Sequence, residues 1–244
     1  MIIDCIADLH GELPMLEGGD LLIVAGDLTT RDCIAGYDRF FDWLALQNYK
    51  HKVYIGGNHD GMIESGKYST PNYCDAIYLC DSGTEFEYEE FETCLDSTLA
   101  FTRKKKLKIW GSPWTPQFPM MNPHCMAFTR PYMQTLKDRW DLIPDDTDIL
   151  ITHGPPNGML DKVKRDYNAS VGDMDLALAV SKRIRPKLHV YGHIHEGYGQ
   201  FRMKHWPLQD KKGEIIHRDD TIFVNCSIMN EEYDPVNKPV RIIL

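Results

Sequence analysis

Short apolar runs recur along the chain, and five of them stop at polar clusters. Residues 2–7 end at Asp-Leu-His, 21–25 at Gly-Asp and 52–55 at Gly-Gly-Asn-His-Asp. Residues 149–152 end at His-Gly-Pro-Pro, and 188–191 at Gly-His-Ile-His. Each run is rich in Ile, Val and Leu and is bounded by turn residues, which predicts buried strands; a buried helix needs more length. Residues 37–46 are amphipathic and predict a helix, with Phe40, Phe41, Trp43, Leu44 and Leu46 available for a core face. Residues 132–140 and 173–184 also read as helices, the second ending before Pro186. Strands alternating with helices give an α/β sheet. The runs 77–80, 85–89, 107–110, 221–225 and 240–244 have fewer helices between them. They suggest hairpins, and hence mixed rather than purely parallel sheets. Ligands of such sheets gather beyond the carboxyl ends of the strands, so the five clusters are expected to converge on one edge.

Composition narrows the picture. The chain has 244 residues, 43% of them hydrophobic, enough for one sizeable core but not two. With no internal repeat or linker, a single domain over residues 1–244 is expected. The formal charge of −9, from 27 basic and 36 acidic residues, disfavours stable binding to long nucleic acid. The dense basic run 103–106, with acidic residues upstream at 85–92, is expected to be a solvated hairpin tip rather than a nucleic-acid patch. Seven cysteines without a Cys-x-x-Cys pair argue against a disulfide framework or structural zinc, and for a reducing compartment. Met1 runs directly into the apolar residues 2–7 without a basic leader, so no signal peptide is expected. No segment approaches the ~18 apolar residues of a membrane span. A cytoplasmic protein is expected.

The polar clusters supply Asp8, His10, Asp27, Asn58, His59, Asp60, His153, His193 and His195, all oxygen or nitrogen donors. Singly, each has a plain role: an Asp after a strand caps a turn, Gly-Asn forms one, and a lone His is usually structural. The Asp-x-His and His-x-His pairs each place two side chains on one side of an extended backbone, which suits chelation. Five such clusters at five strand ends point to a metal site.

The series Asp8-Leu9-His10, Gly26-Asp27, Gly57-Asn58-His59-Asp60, His153-Gly154 and Gly192-His193-Ile194-His195 resembles the signature of the calcineurin-like metallophosphoesterases, over most of the chain. More narrowly, IWGSPWTPQF, DILITHGPP, RPKLHVYGHIHEGYG and NKPVRIIL resemble the small metallophosphoesterase-domain phosphodiesterases of the class III type. The resemblance implies an α/β fold of two mixed sheets packed as a sandwich flanked by helices. It implies that Asp8, His10 and His195 hold one divalent cation, that Asn58, His153 and His193 hold a second, and that Asp27 bridges both. His59 is implied to sit near the scissile phosphate as an acid or fixed donor, held by Asp60, with Asn58 also contacting substrate. Some members of the subgroup carry glycine at the position of His193, and this chain keeps the imidazole.

The implied activity is hydrolysis of phosphodiesters, most naturally small and even cyclic nucleotides, by a hydroxide between the two metals. Alternatives are a phosphomonoesterase or nuclease of the same fold, and a nucleotide-binding regulatory protein. Mixed His and carboxylate ligation suits Mn, Fe, Zn, Co or Ni more than Ca or Mg, and manganese is expected on family grounds. Specificity is expected in the loops 112–119, 122–130 and 154–159. There Trp114 and Phe118 are candidates to stack a base or aryl group, against a role for Trp114 as rim packing between Pro113 and Pro116. Arg130 is weighed as a phosphate contact or a surface arginine, and His124 as a rim or surface residue.

Overall fold

The computed structural model describes residues 1–93, 100–118, 123–131, 134–164, 169–209, 215–216 and 220–244. In the first sheet β1 (Ile2–Ile6), β2 (Gly19–Ala25), β3 (Tyr49–Ile55) and β4 (Ile77–Tyr78) run parallel in that order. The second sheet is built from β5 (Ser82–Thr93), β6 (Ala100–Ser112), β7 (Ile149–Thr152), β8 (Leu188–Tyr191), β9 (Gly199–Met203) and β10 (Thr221–Asn225). Its spatial order is β9-β10-β8-β7-β6-β5, parallel from β10 to β6 and antiparallel at both edges. The last strand, β11 (Val240–Ile243), returns to the first sheet antiparallel to β1. Both sheets are therefore mixed, as the strand pattern predicts.

Most residues of the central strands are apolar because both of their faces are covered; Asp4, Lys52 and His189 are buried polar exceptions. Ile3, Cys5, Ile23, Val53 and Ile55 of the first sheet meet Ile109, Ile149, Ile151, Val190 and Val224 of the second in one core. Their neighbours Leu22, Val24 and Tyr54 point outward, to Tyr37, Phe40, Phe41 and Leu44 of helix α1 (Ile34–Ala45). On the opposite flank Leu150, Tyr191 and Phe223 pack against Trp140, Leu176, Val180 and Ile184. Each residue type here follows from its pleat position: alternate side chains leave a strand on opposite faces, and both faces are dry.

Several expectations need correction. Leu46 is 84% exposed, because α1 ends one residue before it. Among the described residues the helix expected over 132–140 is a single turn, α3 (Lys137–Trp140), as long as the earlier turn α2 (Gly61–Glu64); residues 132 and 133 lie outside the described residues. Before α3, Thr135 takes the backbone N–H of Lys137 on its hydroxyl (3.0 Å), and its carbonyl accepts from Arg130 Nη1 (2.7 Å). Such side-chain bonds compete with helix formation. The 173–184 helix is confirmed as α4 (Met174–Ala179) continued by a five-residue π-helix (Val180–Ile184). Asp173 caps it by accepting from Leu176 N (2.6 Å), and Arg185, at φ 48°, ends it just before Pro186.

The basic run 103–106 is not a hairpin tip. It lies within β6, opposite the acidic strand β5, with Lys104 3.7 Å from Glu87 and Lys106 3.1 Å from Glu85. The charges of one strand thus answer those of its partner. Residues 94–99, including Cys94, lie outside the described residues. The six described cysteines are free thiols. Among the described residues no helix is long and apolar enough to cross a membrane.

The two sheets share an edge. Ala7, just past β1, pairs in parallel with Ser227, just past β10, through Ala7 N to Cys226 O (2.9 Å) and Ile228 N to Ala7 O (3.0 Å). The carboxyl ends of the parallel strands of both sheets therefore point to one side.

Candidate metal centre

At that edge the five strand-end clusters meet. Asp8 and His10 follow β1, Asp27 follows β2, and Asn58, His59 and Asp60 follow β3. His153 follows β7, and His193 and His195 follow β8. Four of these residues have left-handed backbones: Asp8 (φ 53°), His10 (φ 42°), Asp27 (φ 54°) and His193 (φ 66°). Such conformations cost of order 1–3 kcal/mol each and persist only where the surroundings enforce them. Here they turn polar side chains back over the strand ends. Backbone bonds brace the turns: Asp8 N to Gly26 O, His10 N to Asp27 O and Gly192 N to His153 O, each 3.0 Å.

Asp27 sits in the middle. Its Oδ1 accepts from His59 N (2.9 Å) and lies 3.4 Å from His153 Nε2. Its Oδ2 lies 3.7 Å from His10 Nε2 and 3.8 Å from His59 Nε2. One carboxylate oxygen thus faces the His153 side of the cluster and the other faces the His10 side. On the first side His153 Nε2 is 2.9 Å from Asn58 Oδ1, and the His153 and His193 rings are 4.9 Å apart. On the second, His195 Nε2 is 3.9 Å from Asp8 Oδ2, and the His10 and His195 rings are 5.4 Å apart. Ligand atoms of Asp8, His10 and His195, and likewise of Asp8, Asp27 and His153, all lie within 4.8 Å of one another.

Glycines make this density possible. A Cβ on Gly57 would fall 2.3 Å from Asp27 Oδ1 and 2.6 Å from His153 Cε1. One on Gly192 would fall 2.4 Å from Asp8 Oδ2.

The electrostatics follow from burial. Burial resists charge on Asp27, but His153, His59 and His10 around it hold its carboxyl well below the usual range. Burial also opposes a proton on His153, yet the adjacent Asp27 outweighs this and raises it to about 9. Burial pushes His10 down to about 4, and burial together with His153 pushes His193 well down. Burial thus favours the neutral imidazole in both, and their Nε2 atoms are buried without a hydrogen-bond partner. A buried polar atom left unpaired is costly. Lone pairs held this way, beside an ionised carboxylate and an amide oxygen, fit hard or borderline divalent cations. The other ring nitrogens are tied back: His153 Nδ1 to Ala25 O and His195 Nδ1 to Asn230 O, both 2.9 Å. Once a metal displaces the Nε2 proton, such bonds would fix the tautomer that directs the Nε2 lone pair to it.

Two expected roles are not borne by the geometry. Asp60 does not hold the His59 ring. Its carboxylate is fully buried and accepts from Gly57 N (2.8 Å), Leu28 N (3.1 Å) and Tyr37 OH (3.4 Å). Burial and the nearby Asp27 push it up to about 8. Consecutive side chains in the turn diverge, and buried backbone N–H groups claim the carboxylate. His59 Nδ1 instead meets Cys125 Sγ at 3.3 Å. Burial and the carboxylates of Asp27 and Asp32 raise the Cys125 thiol above its ordinary range.

Nor is Trp114 presented as a stacking platform. Its indole N–H donates to Asp81 (2.9 Å), and the Arg139 guanidinium lies 4.2 Å over the ring. Arg130 is likewise engaged, with Asp138 and Thr135, and His124 is exposed. The aromatic groups on the cluster are Phe118, stacked on His193 (5.4 Å, 18°), and Tyr233, 4.9 Å from both His10 and His195. Phe118 was legible as a loop candidate. Tyr233 and Cys125 carry no motif signal and were missed. Pro119 and Asn122, at the ends of two candidate loops, lie outside the described residues.

Comparison with known proteins agrees with this geometry. The model of the calcineurin-like phosphoesterase family matches residues 1–197. The chain is 32% identical to metallophosphoesterase domain-containing protein 1 of Homo sapiens over 249 residues, covering 98% of this chain and 70% of that protein. It is also 32% identical to a UPF0046 protein of Caenorhabditis elegans, covering 97% of this chain and 58% of that one. A solved crystal structure with 14% identity superposes with a TM-score of 0.54 over 92% of this chain and 89% of its own. The last likeness speaks for the fold alone. Strand ends that converge on a shared aspartate, and a family match spanning most of the sequence, lead to one conclusion: the chain belongs to the calcineurin-like phosphoesterases.

Proposed function

We propose that the chain is a metal-dependent hydrolase of small phosphodiesters, nucleotides among them, working at the Asp27 cluster. The observation that carries this is the split of the Asp27 carboxylate between two groups of donors, His10 on one side and His153 on the other. Asp8, His10 and His195 would hold one divalent cation, and Asn58, His153 and His193 the second, with Asp27 shared; manganese is the working choice. When bound, the pair supplies Lewis-acid charge for phosphoryl oxygens and lowers the pKa of water.

The rest falls to the chain's own residues. Asp27 would offset the repulsion between two neighbouring cations held there. Asn58 contributes an uncharged oxygen, which keeps the site attractive to an anionic ester. His59, with its Nε2 3.8 Å from Asp27 and its side chain only 15% exposed, stands at the mouth of the cluster. It is placed to donate a proton or hydrogen bond to the ester. Phe118, on His193, is an aromatic available to a base or aryl group. The negative net charge suits small substrates better than polymers.

The test is turnover of bis-p-nitrophenyl phosphate with Mn²⁺, beside p-nitrophenyl phosphate and the Asp27→Ala variant. Diester turnover that exceeds monoester turnover and vanishes in the variant is expected. Faster monoester turnover would make the protein a phosphomonoesterase. Nucleotide binding without turnover would make it a regulatory protein.

A further inference from the structure

The turn that carries Asn58 and His59 is clamped by a segment almost seventy residues away. Ala127 N donates to Asn58 O (3.2 Å). The Cys125 carbonyl accepts from Asn58 Nδ2 (3.4 Å), and the Cys125 thiol meets His59 Nδ1 (3.3 Å). Phe128 N, close behind, donates to Glu64 just past the turn (2.8 Å). One residue, Cys125, therefore touches the Asn58 and His59 side chains of the Gly-Asn-His-Asp turn, and does so with two different groups.

The consequences are separable. An amide can present either its oxygen or its nitrogen. With Nδ2 turned to the Cys125 carbonyl, Asn58 must show Oδ1 to the cluster, where it lies 2.9 Å from His153 Nε2. An imidazole can rotate about its χ2 angle and exchange tautomers, and a partner at one nitrogen fixes what the other can do. With Nδ1 against the thiol, His59 aims Nε2 toward Asp27. Asp60, adjacent in sequence, is committed to backbone amides and contributes no such contact.

We infer that Cys125 is the positioning residue of the reaction: its thiol orients His59, and its carbonyl orients the Asn58 amide. This inference rests on the phosphoesterase function proposed above. Substituting the side chain removes the thiol but leaves the carbonyl, so the two roles part in one variant.

In Cys125→Ala, kcat for bis-p-nitrophenyl phosphate is expected to fall by roughly 10–100-fold, the usual cost of losing a group that orients an active-site residue. KM, manganese content and thermal midpoint should hold, because the Asn58 clamp survives. Cys125→Ser keeps a hydrogen-bonding group and should recover kcat to within about 3-fold of native. In a His59→Ala background, adding Cys125→Ala should cost nothing more, since a group acting only through His59 is not additive with it. Independent, multiplying losses in the double variant would overturn the inference. So would equal losses in the Ser and Ala variants, which would mean packing alone, or native-like kcat in Cys125→Ala. If the native chain shows no turnover that Asp27→Ala abolishes, the phosphoesterase function itself fails, a result these Cys125 outcomes cannot mimic.

Discussion

Gly57 concentrates the constraints of the site into one missing methyl group. A Cβ there would stand 2.3 Å from Asp27 Oδ1, so Gly57→Ala must displace the carboxylate, His153 or the turn. Misplacement by an ångström in such a site costs on the order of 10²-fold in rate. We expect Gly57→Ala to lose about that much in kcat/KM and to bind metal more weakly; native-like metal content and rate would show that the close approach is not needed. His189 tests burial away from the ligands. It is fully buried, with Nε2 2.9 Å from Thr152 Oγ1, and burial pushes it down to about 3. The unfolded chain protonates near 6.5 and the folded one does not, so folding loses stability as pH falls below that value. Between pH 7 and pH 5 the loss from this group is about 2 kcal/mol. Urea unfolding at both pH values should show native protein losing that much more than His189→Leu. Equal losses would mean His189 is not held neutral.

Among the elements, helix α4 depends on a single residue for its start. Asp173 Oδ1 accepts both Leu176 N (2.6 Å) and Trp140 Nε1 (2.9 Å), joining the helix to the buried indole of α3. Removing it loses a cap and leaves an indole N–H without its acceptor, together about 2 kcal/mol. Asp173→Ala should lower unfolding stability by about that amount without changing metal content; a change under about 0.5 kcal/mol would show the cap to be replaceable. Elements of this kind differ in how openly the sequence declares them. The strands 149–152, 188–191 and 221–225 match the predicted bounds because they are mostly apolar, are covered on both faces and stop at turn residues. β5 and β6 run well beyond their predicted cores, since their outer halves are charged and are stabilised by pairing with each other. Among the described residues of 134–140 one helical turn forms, where the Thr135 hydroxyl accepts from Lys137 N. That bond is local, but a hydroxyl acceptor leaves no mark in the pattern of apolar residues.

Across the molecule, the same division holds for the site. Every donor that ends a strand was legible, because strand ends of a parallel sheet share an edge and the Asp-x-His and Gly-Asn-His-Asp spacings are distinctive. What supports those donors was not. Cys125 reaches His59 across 66 positions, Asn230 reaches His195 across 35, and Tyr233 covers two histidines from a turn near the carboxyl end. No local spacing encodes such contacts. The pairing of Asp60 with His59 that the resemblance implies is not made here, because the Asp60 carboxylate is taken by the backbone amides of Gly57 and Leu28.

The convergence of both sheets on Asp27 makes a claim about the assembled protein. Diffraction from crystals grown with Mn²⁺, recorded at the manganese edge, should give two anomalous peaks flanking the Asp27 carboxylate, ~3.5–4 Å apart. One peak should lie among Asp8, His10 and His195, and the other among Asn58, His153 and His193. A single peak elsewhere, or none at this cluster in crystals of protein that still hydrolyses phosphodiesters, would contradict the two-metal centre proposed for this chain.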